Sequence, residues 1–310
     1  MEQQQGRDAR GAFVAIDWGT SSFRAWLMAA DGTPLAERRS DEGMRHCAAA
    51  GFETVFRRHV TALGGDGLPA LICGMAGARQ GWREAPYLHT PTRLDALGAG
   101  AVQVDIDGDV RILPGVAQAS SDEPDVMRGE ETQILGSIEP GFTGLVCIPG
   151  THSKWVRIED GAIVDFTTYM TGELFALVAE HSVVSLALDK EVNATPDSPA
   201  FAAGLAAALS GDAALTSSLF RIRSAMLLGF ADRHDGTAKL SGLLIGSEIG
   251  DAARRHGRQH PVRLIAAGPL ARLYETALTH AGFTTTTADA ELASRRGLSR
   301  VALTLWNKRA

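Results

Sequence analysis

The sequence predicts a two-domain α/β protein, with mixed sheets flanked by helices and a cleft between the domains. The first observation is a repeat. Phe13-Val14-Ala15-Ile16-Asp17-Trp18-Gly19-Thr20-Ser21-Ser22 leads into an apolar stretch and the turn Asp31-Gly32. Leu145-Val146-Cys147-Ile148-Pro149-Gly150-Thr151-His152-Ser153-Lys154 leads into another such stretch and the turn Asp160-Gly161. Each copy reads as strand, small-residue turn, strand, Asp-Gly hairpin and strand. The copies lie too far apart for a solenoid, whose repeats run about 20–50 residues. The second observation is length: 310 residues suffice for two ordinary domains. The third is order, with strands first and then alternating helices and strands, which indicates mixed α/β domains.

Residues 1–11 read as a disordered tail, 12–140 as an N-terminal domain and 141–310 as a C-terminal domain. The first domain opens with the three-stranded unit 13–39. A helix is predicted over 52–63, where Phe52, Val55, Phe56 and Val60 have helical spacing. Leu71-Ile72-Cys73 is a short buried strand running into the glycine-rich loop Gly74–Trp82. Val110–Pro114 is a further strand, ended by its proline. A helix beginning near Pro124 or Asp125 carries Val126 to Gly136 towards the second repeat. In the second domain Thr171 is placed to cap a helix through about 182. Residues 190–200 are a Pro/Asn/Asp loop. The Ala/Leu-rich stretch 200–256 predicts three helices, which serve either as a dimer face or as core. Arg263–Pro269 is strand then turn, 270–281 an amphipathic helix, 284–287 a strand and 288–296 a closing helix.

Hydrophobic content of 45% and charged content of 21% allow real cores and exclude a disordered chain. The net charge of −6 argues against nucleic acid as a partner, yet permits ATP, which needs only local positive groups. Cys47, Cys73 and Cys147 are widely spaced and form no zinc-ligand pattern. An odd cysteine count with no secretory signal fits a reducing cytoplasm. The polar N-terminus lacks a signal-type apolar region, and no stretch of about 18 apolar residues predicts a membrane span.

The chemistry concentrates in a few segments. Asp17-x-Gly19-Thr20-Ser21-x-x-Arg24 places a carboxylate at a strand end beside a small-residue turn. Such a carboxylate suits a hydrated Mg²⁺, and turns of this type aim backbone N–H groups and hydroxyls at an anion. The second copy has Gly150, Thr151, His152, Ser153 and Lys154, with Pro149 where the Asp would be. One metal carboxylate and one neutral cradle, facing each other across a cleft, would hold a polyphosphate. Glu130 and Glu131 lie on one helix but diverge by about 100°, so they cannot share one proton face. One is a candidate general base, or the two are a surface acidic pair. Gly74, Met75, Gly77, Arg79 and Trp82 could hold a polyhydroxy acid, with arginine on its carboxylate; the alternative is a glycine-rich connection with a packed Trp82. Gly268, after Ala267, either lets an adenine ring approach bare backbone or is a plain strand-to-helix turn. Arg24 and Lys154 are further cations beside these turns.

Together these features resemble the actin/hexokinase/Hsp70 superfamily, which implies two ribonuclease-H-like domains. Within it, Ala15–Ser21, Cys73–Gly77, Met127–Gln133, Pro149–Trp155 and Met170–Phe175, in this order, resemble the 2-dehydro-3-deoxygalactonokinase family. The resemblance implies ATP-dependent phosphorylation of the 6-hydroxyl of a sugar acid, 2-dehydro-3-deoxy-D-galactonate, in galactonate catabolism. It implies Mg²⁺ at Asp17, phosphates at Gly19, Thr20, Ser21, Gly150, Thr151 and His152, and adenosine at Gly268. The Gly-x-Glu pattern also resembles exopolyphosphatase relatives, whose glutamate base precedes a small residue, which favours Glu131 over Glu130. A phosphohydrolase of the same superfamily and a non-catalytic, nucleotide-gated binding protein are the competing functions. Discrimination between galacto and gluco epimers rests on one hydroxyl and is not readable from spacing.

Overall fold

The computed structural model describes residues 10–189, 191–212 and 214–306; the expected tail, apart from its last two residues, lies outside them. In chain order the elements begin with β1 (Gly11–Trp18), β2 (Phe23–Ala29), β3 (Pro34–Ser40), α1 (Met44–Ala50) and α2 (Phe52–Ala62). They continue with β4 (Ala70–Gly74), β5 (Leu88–His89), β6 (Thr92–Arg93), β7 (Val102–Gln103), β8 (Val110–Ile112), β9 (Val116–Gln118), β10 (Asp125–Met127) and α3 (Glu130–Ser137). Next come β11 (Gly144–Ile148), β12 (Ser153–Glu159), β13 (Ala162–Tyr169), α4 (Thr171–His181), α5 (Pro199–Ser210), α6 (Leu215–Leu227) and α7 (Arg233–His256). The chain closes with β14 (Val262–Ile265), α8 (Gly268–His280), β15 (Thr285–Ala288) and α9 (Ala290–Trp306).

These elements form two compact units. One holds the described residues through Phe142, Glu159–Asp165 and those from Ala290; the other holds Thr143–Ile158 and Phe166–Asp289. The last helix therefore groups with the first unit, not with the second as 141–310 anticipates. Its reason is packing on α3: a Cβ built at Gly136 would lie 1.9 Å from the Ala293 carbonyl oxygen, and one at Gly297 2.0 Å from that of Thr132. Two helices approach that closely only where glycines face each other's backbone. Arg300 fastens the end of α3 by donating to the carbonyls of Leu135 and Ile138.

The first unit carries the sheet β3-β2-β1-β4-β8-β7, in which β1 runs antiparallel to β2 and parallel to β4, and β4 parallel to β8. The second unit repeats the plan with β13-β12-β11-β14-β15: β11 is antiparallel to β12 and parallel to β14, and β14 is parallel to β15. This three-antiparallel-then-parallel order is the ribonuclease-H-like arrangement, present twice. The central strands β4 and β11 are buried at every residue, as strands covered on both faces must be. Trp18, Phe23, Ile72 and Ile112 anchor the first core; Trp155, Phe201, Leu264 and Tyr274 anchor the second.

Three local departures have physical causes. Asp125–Met127 is a strand rather than helix, because Gly129, at φ 108°, turns the chain sharply and α3 begins only after it. Thr171 does not cap α4; it is the first helical residue, and its hydroxyl is donated to Glu248. The three helices at 200–256 are present, α5 packing on α7 while Phe220 and Leu227 of α6 stay exposed.

Candidate active site

In the first unit the site is built at the carboxyl end of β1 and β4. Cross-strand register sets Asp17 against Arg24 on β2 and against Cys73 on β4. Burial pushes the Asp17 carboxyl above its ordinary range; a hydrogen bond with Ser294 and the charge of Arg24 pull it back, and Glu130 and Glu291 push it up again. The next turn closes through Gly19 N–H donating to the Ser22 carbonyl at 2.9 Å, with Thr20 half-buried and Ser21 exposed. Asp17, Glu130 and Glu291 thus form one acidic neighbourhood. Among the described residues no three His, Cys, Asp or Glu side chains group closely enough to ligate one metal ion directly. A carboxylate-bound, largely hydrated Mg²⁺ fits this donor set; a closed protein cage does not.

The two glutamates at the start of α3 part as helix geometry requires. Glu131 is 1% exposed, accepts from Gly129 N–H at 2.8 and 3.0 Å and from the Thr132 hydroxyl at 3.0 Å. Burial, then the charge of Glu130, raises its pKa to about 7. Glu130 is half-buried and accepts from Arg128 N–H at 2.9 Å.

The Gly74–Trp82 loop divides. Gly74, at φ 90°, and Met75 continue β4, and Gly77 is buried where a Cβ would lie 2.9 Å from Arg128 Nη1. Arg79 is exposed and forms no hydrogen bond or ion pair among the described residues. Trp82 is half-buried, and its ring packs with Trp18, Phe52 and Phe56 at centroid distances of 5.2 to 6.2 Å, stacked on Phe52.

In the second unit the turn after β11 borders a cavity of about 680 Å³, whose walls include Gly150, Thr151, Leu244, Pro269, Leu273 and Tyr274. Thr151 and His152 are exposed, His152 pairing with Glu173, while Lys154 is buried and donates to the His152 carbonyl at 3.2 Å. Gly268 has φ 61°, and a Cβ there would meet nothing within 4 Å, so open space lies beside this backbone. Pro269 follows it at the start of α8 and Leu270 is 38% exposed, which gives the cavity mouth an apolar rim.

Sequence reading missed four residues that the structure places at these sites. Ser294 lies beside Asp17 from α9, and Glu291, paired with Arg39, acts on it through its charge; nothing local in a distant helix signals that. Arg128 is stacked 4.3 Å from the Tyr87 ring centroid, donates through Nη2 to the Ala85 carbonyl, and has Nε and Nη1 buried without a partner. Glu248 is 2% exposed in α7. Its signal was available: a lone charge in the apolar run Leu243–Ile249.

The family model described as 2-keto-3-deoxy-galactonokinase matches residues 17–301. Over 300 residues the chain is 46% identical to a protein of Rhizobium meliloti (strain 1021) named a probable 2-dehydro-3-deoxygalactonokinase, covering 96% of this chain and 98% of that one. It is 34% identical to the 2-dehydro-3-deoxygalactonokinase of Escherichia coli (strain K12), covering 95% and 99%. A crystal structure of a Sinorhizobium meliloti protein of that same description superposes with a TM-score of 0.92 at 45% identity, covering 95% and 99%. Component A of the (R)-2-hydroxyglutaryl-CoA dehydratase of Acidaminococcus fermentans shares the fold, at a TM-score of 0.51 and 15% identity.

Proposed function

Since the chain belongs to the 2-keto-3-deoxy-galactonokinase family, we propose that it transfers the γ-phosphoryl group of ATP to the 6-hydroxyl of 2-dehydro-3-deoxy-D-galactonate. The product, 2-dehydro-3-deoxy-6-phospho-D-galactonate, places the reaction in galactonate catabolism. The observation that carries the reading is the 46% identity over nearly the whole chain. The geometry supports a division of roles.

Phosphoryl transfer needs positioning and charge neutralisation more than covalent help. The cavity of the second unit is the ATP site: the apolar rim at Pro269 and Leu270 takes adenine beside Gly268, and Gly150, Thr151 and His152 face the phosphates. In the first unit Gly19, Thr20 and Ser21 offer hydroxyls and backbone to the phosphates. Asp17 would hold a hydrated Mg²⁺, which would supply charge neutralisation on the phosphates. The charge of Arg24 favours ionised Asp17, against the burial that opposes it. Gly74, Met75 and Gly77 shape the sugar-acid site, and Arg79 and Arg128 are the cations for its carboxylate. Two properties are divided between the glutamates. Glu131 has a pKa near neutral pH, which suits a general base, and Glu130 has the greater exposure. We assign the hydroxyl proton to Glu131 and the arrangement of the Arg128–Gly129 turn to Glu130.

All three cysteines are buried and free, and no helix among the described residues is long and apolar enough to cross a membrane. Cytoplasmic ATP is the donor in this reading.

A coupled assay of ADP formation tests it. Release stimulated by the sugar acid supports the kinase. Equal release without it indicates a phosphohydrolase, and no release with retained ATP binding indicates a non-catalytic binder.

A further inference from the structure

Beneath the Gly150–Thr151 turn lies a buried polar centre that the proposed chemistry does not use. Glu248 projects from α7 and is 2% exposed. Its Oε1 accepts from Trp155 Nε1 at 2.9 Å, and its Oε2 accepts from the Tyr274 hydroxyl at 2.8 Å and from the Thr171 hydroxyl. Ser153 stands behind Tyr274, its hydroxyl 3.2 Å from the phenol that donates to Glu248. A carboxylate has about four acceptor sites, and donors from β12, α4 and α8 occupy three of them. Burying an unpaired carboxylate is unfavourable by several kcal/mol, and these three donors offset that cost.

Ser153 and Thr171 connect this centre to the turn. Ser153 Oγ stands 3.2 Å from the Tyr274 hydroxyl and accepts from Gly150 N–H at 3.4 Å. Thr171 begins α4, and the next two residues press on the turn. A Cβ at Gly172 would lie 2.5 Å from the Gly150 carbonyl oxygen, and Glu173 N–H donates to the Thr151 carbonyl at 3.0 Å. Thr171 and Tyr274 also form part of the cavity wall.

We infer that Glu248 is a positioning residue, which fixes the second phosphate turn against the first turn of α4 and so sets the affinity for ATP. It touches neither phosphate nor sugar acid; it acts through Thr171, Ser153 and Tyr274. The inference rests on the reading of this cavity as the ATP site.

The experiment is calorimetric titration of ATP into the parent and into folded Glu248→Gln, Thr171→Val and Thr171→Ser, with steady-state KM for both substrates. An amide has one accepting oxygen and cannot accept from all three donors, so Glu248→Gln should weaken ATP binding about tenfold or more, the scale of one lost charged hydrogen bond. The KM for the sugar acid should stay within about twofold. Thr171→Val should weaken ATP binding similarly, and Thr171→Ser, which restores the hydroxyl, should return it to the parental value. If Glu248→Gln does not fold, the Thr171 pair decides. A merely structural carboxylate would lower the melting temperature while folded variants bind ATP as the parent does; that result overturns the inference. Failure of the parent itself to bind ATP would instead overturn the assignment of the cavity.

Discussion

Glu131 combines 1% exposure with a pKa of about 7, and both follow from its place at the start of α3. If it takes the substrate proton, kcat should rise with pH along a limb with its midpoint near 7. Glu131→Gln should remove that limb and lower kcat by about 10²–10⁴-fold, the usual range for loss of a general base. Equal, small losses in Glu130→Gln and Glu131→Gln would show that neither is the base, and a reversed ranking would move the role to Glu130. Stability carries a second signature of opposite sense. A carboxyl whose folded pKa is raised from 4.5 to about 7 contributes stability below about pH 4.5, which is lost as pH rises through 7. The melting temperature of Glu131→Gln should therefore gain on the parent between these limits; parallel curves would contradict the shift. Asp17 behaves alike in direction. Burial and the charges of Glu130 and Glu291 oppose its ionisation, so Asp17→Asn should lose at least about 10²-fold in kcat while melting no lower than the parent. Near-normal turnover at ordinary Mg²⁺ would refute the metal role.

At the scale of elements, the crossing of α3 and α9 depends on backbone touching backbone. Gly136→Ala or Gly297→Ala would set a methyl within about 2 Å of a carbonyl oxygen on the other helix. We expect each to destabilise by about 1–3 kcal/mol or more, measured by denaturant unfolding. Midpoints within about 0.5 kcal/mol of the parent would mean that the helices separate easily. These glycines also mark where sequence reading stops. The βββ units were legible because alternation and Asp-Gly turns are local signals, and the turns that follow β1 and β11 came with them. That α9 would close on the first unit was not legible, since a fit between Gly136 and Gly297 is a long-range property of two ordinary-looking helices. Thr171 reads locally as a cap; only tertiary structure supplies Glu248 as the better partner for its hydroxyl. Trp82 is the converse case. An exposed-looking loop tryptophan is drawn into an aromatic cluster because Phe52 and Phe56 of α2 present apolar faces to it.

At the scale of the molecule, one sheet plan used twice gives each unit a turn at the same place, the end of its first strand. The repeat in the sequence conveyed that plan. In this account the units differ in equipment: carboxylates gather at the first turn, and an apolar-rimmed cavity opens at the second. Gly268→Val tests the second half of that division. The residue has φ 61° with open space beside it, so a bulky side chain should weaken ATP binding in calorimetry while leaving sugar-acid binding intact. Undiminished ATP binding by the folded variant would move adenosine elsewhere. Purified protein incubated with ATP, Mg²⁺ and 2-dehydro-3-deoxy-D-galactonate should yield, by phosphorus NMR, ADP and an equal amount of a phosphomonoester coupled to the C6 methylene protons. Inorganic phosphate as the only new signal, or an ester on another carbon, would contradict it.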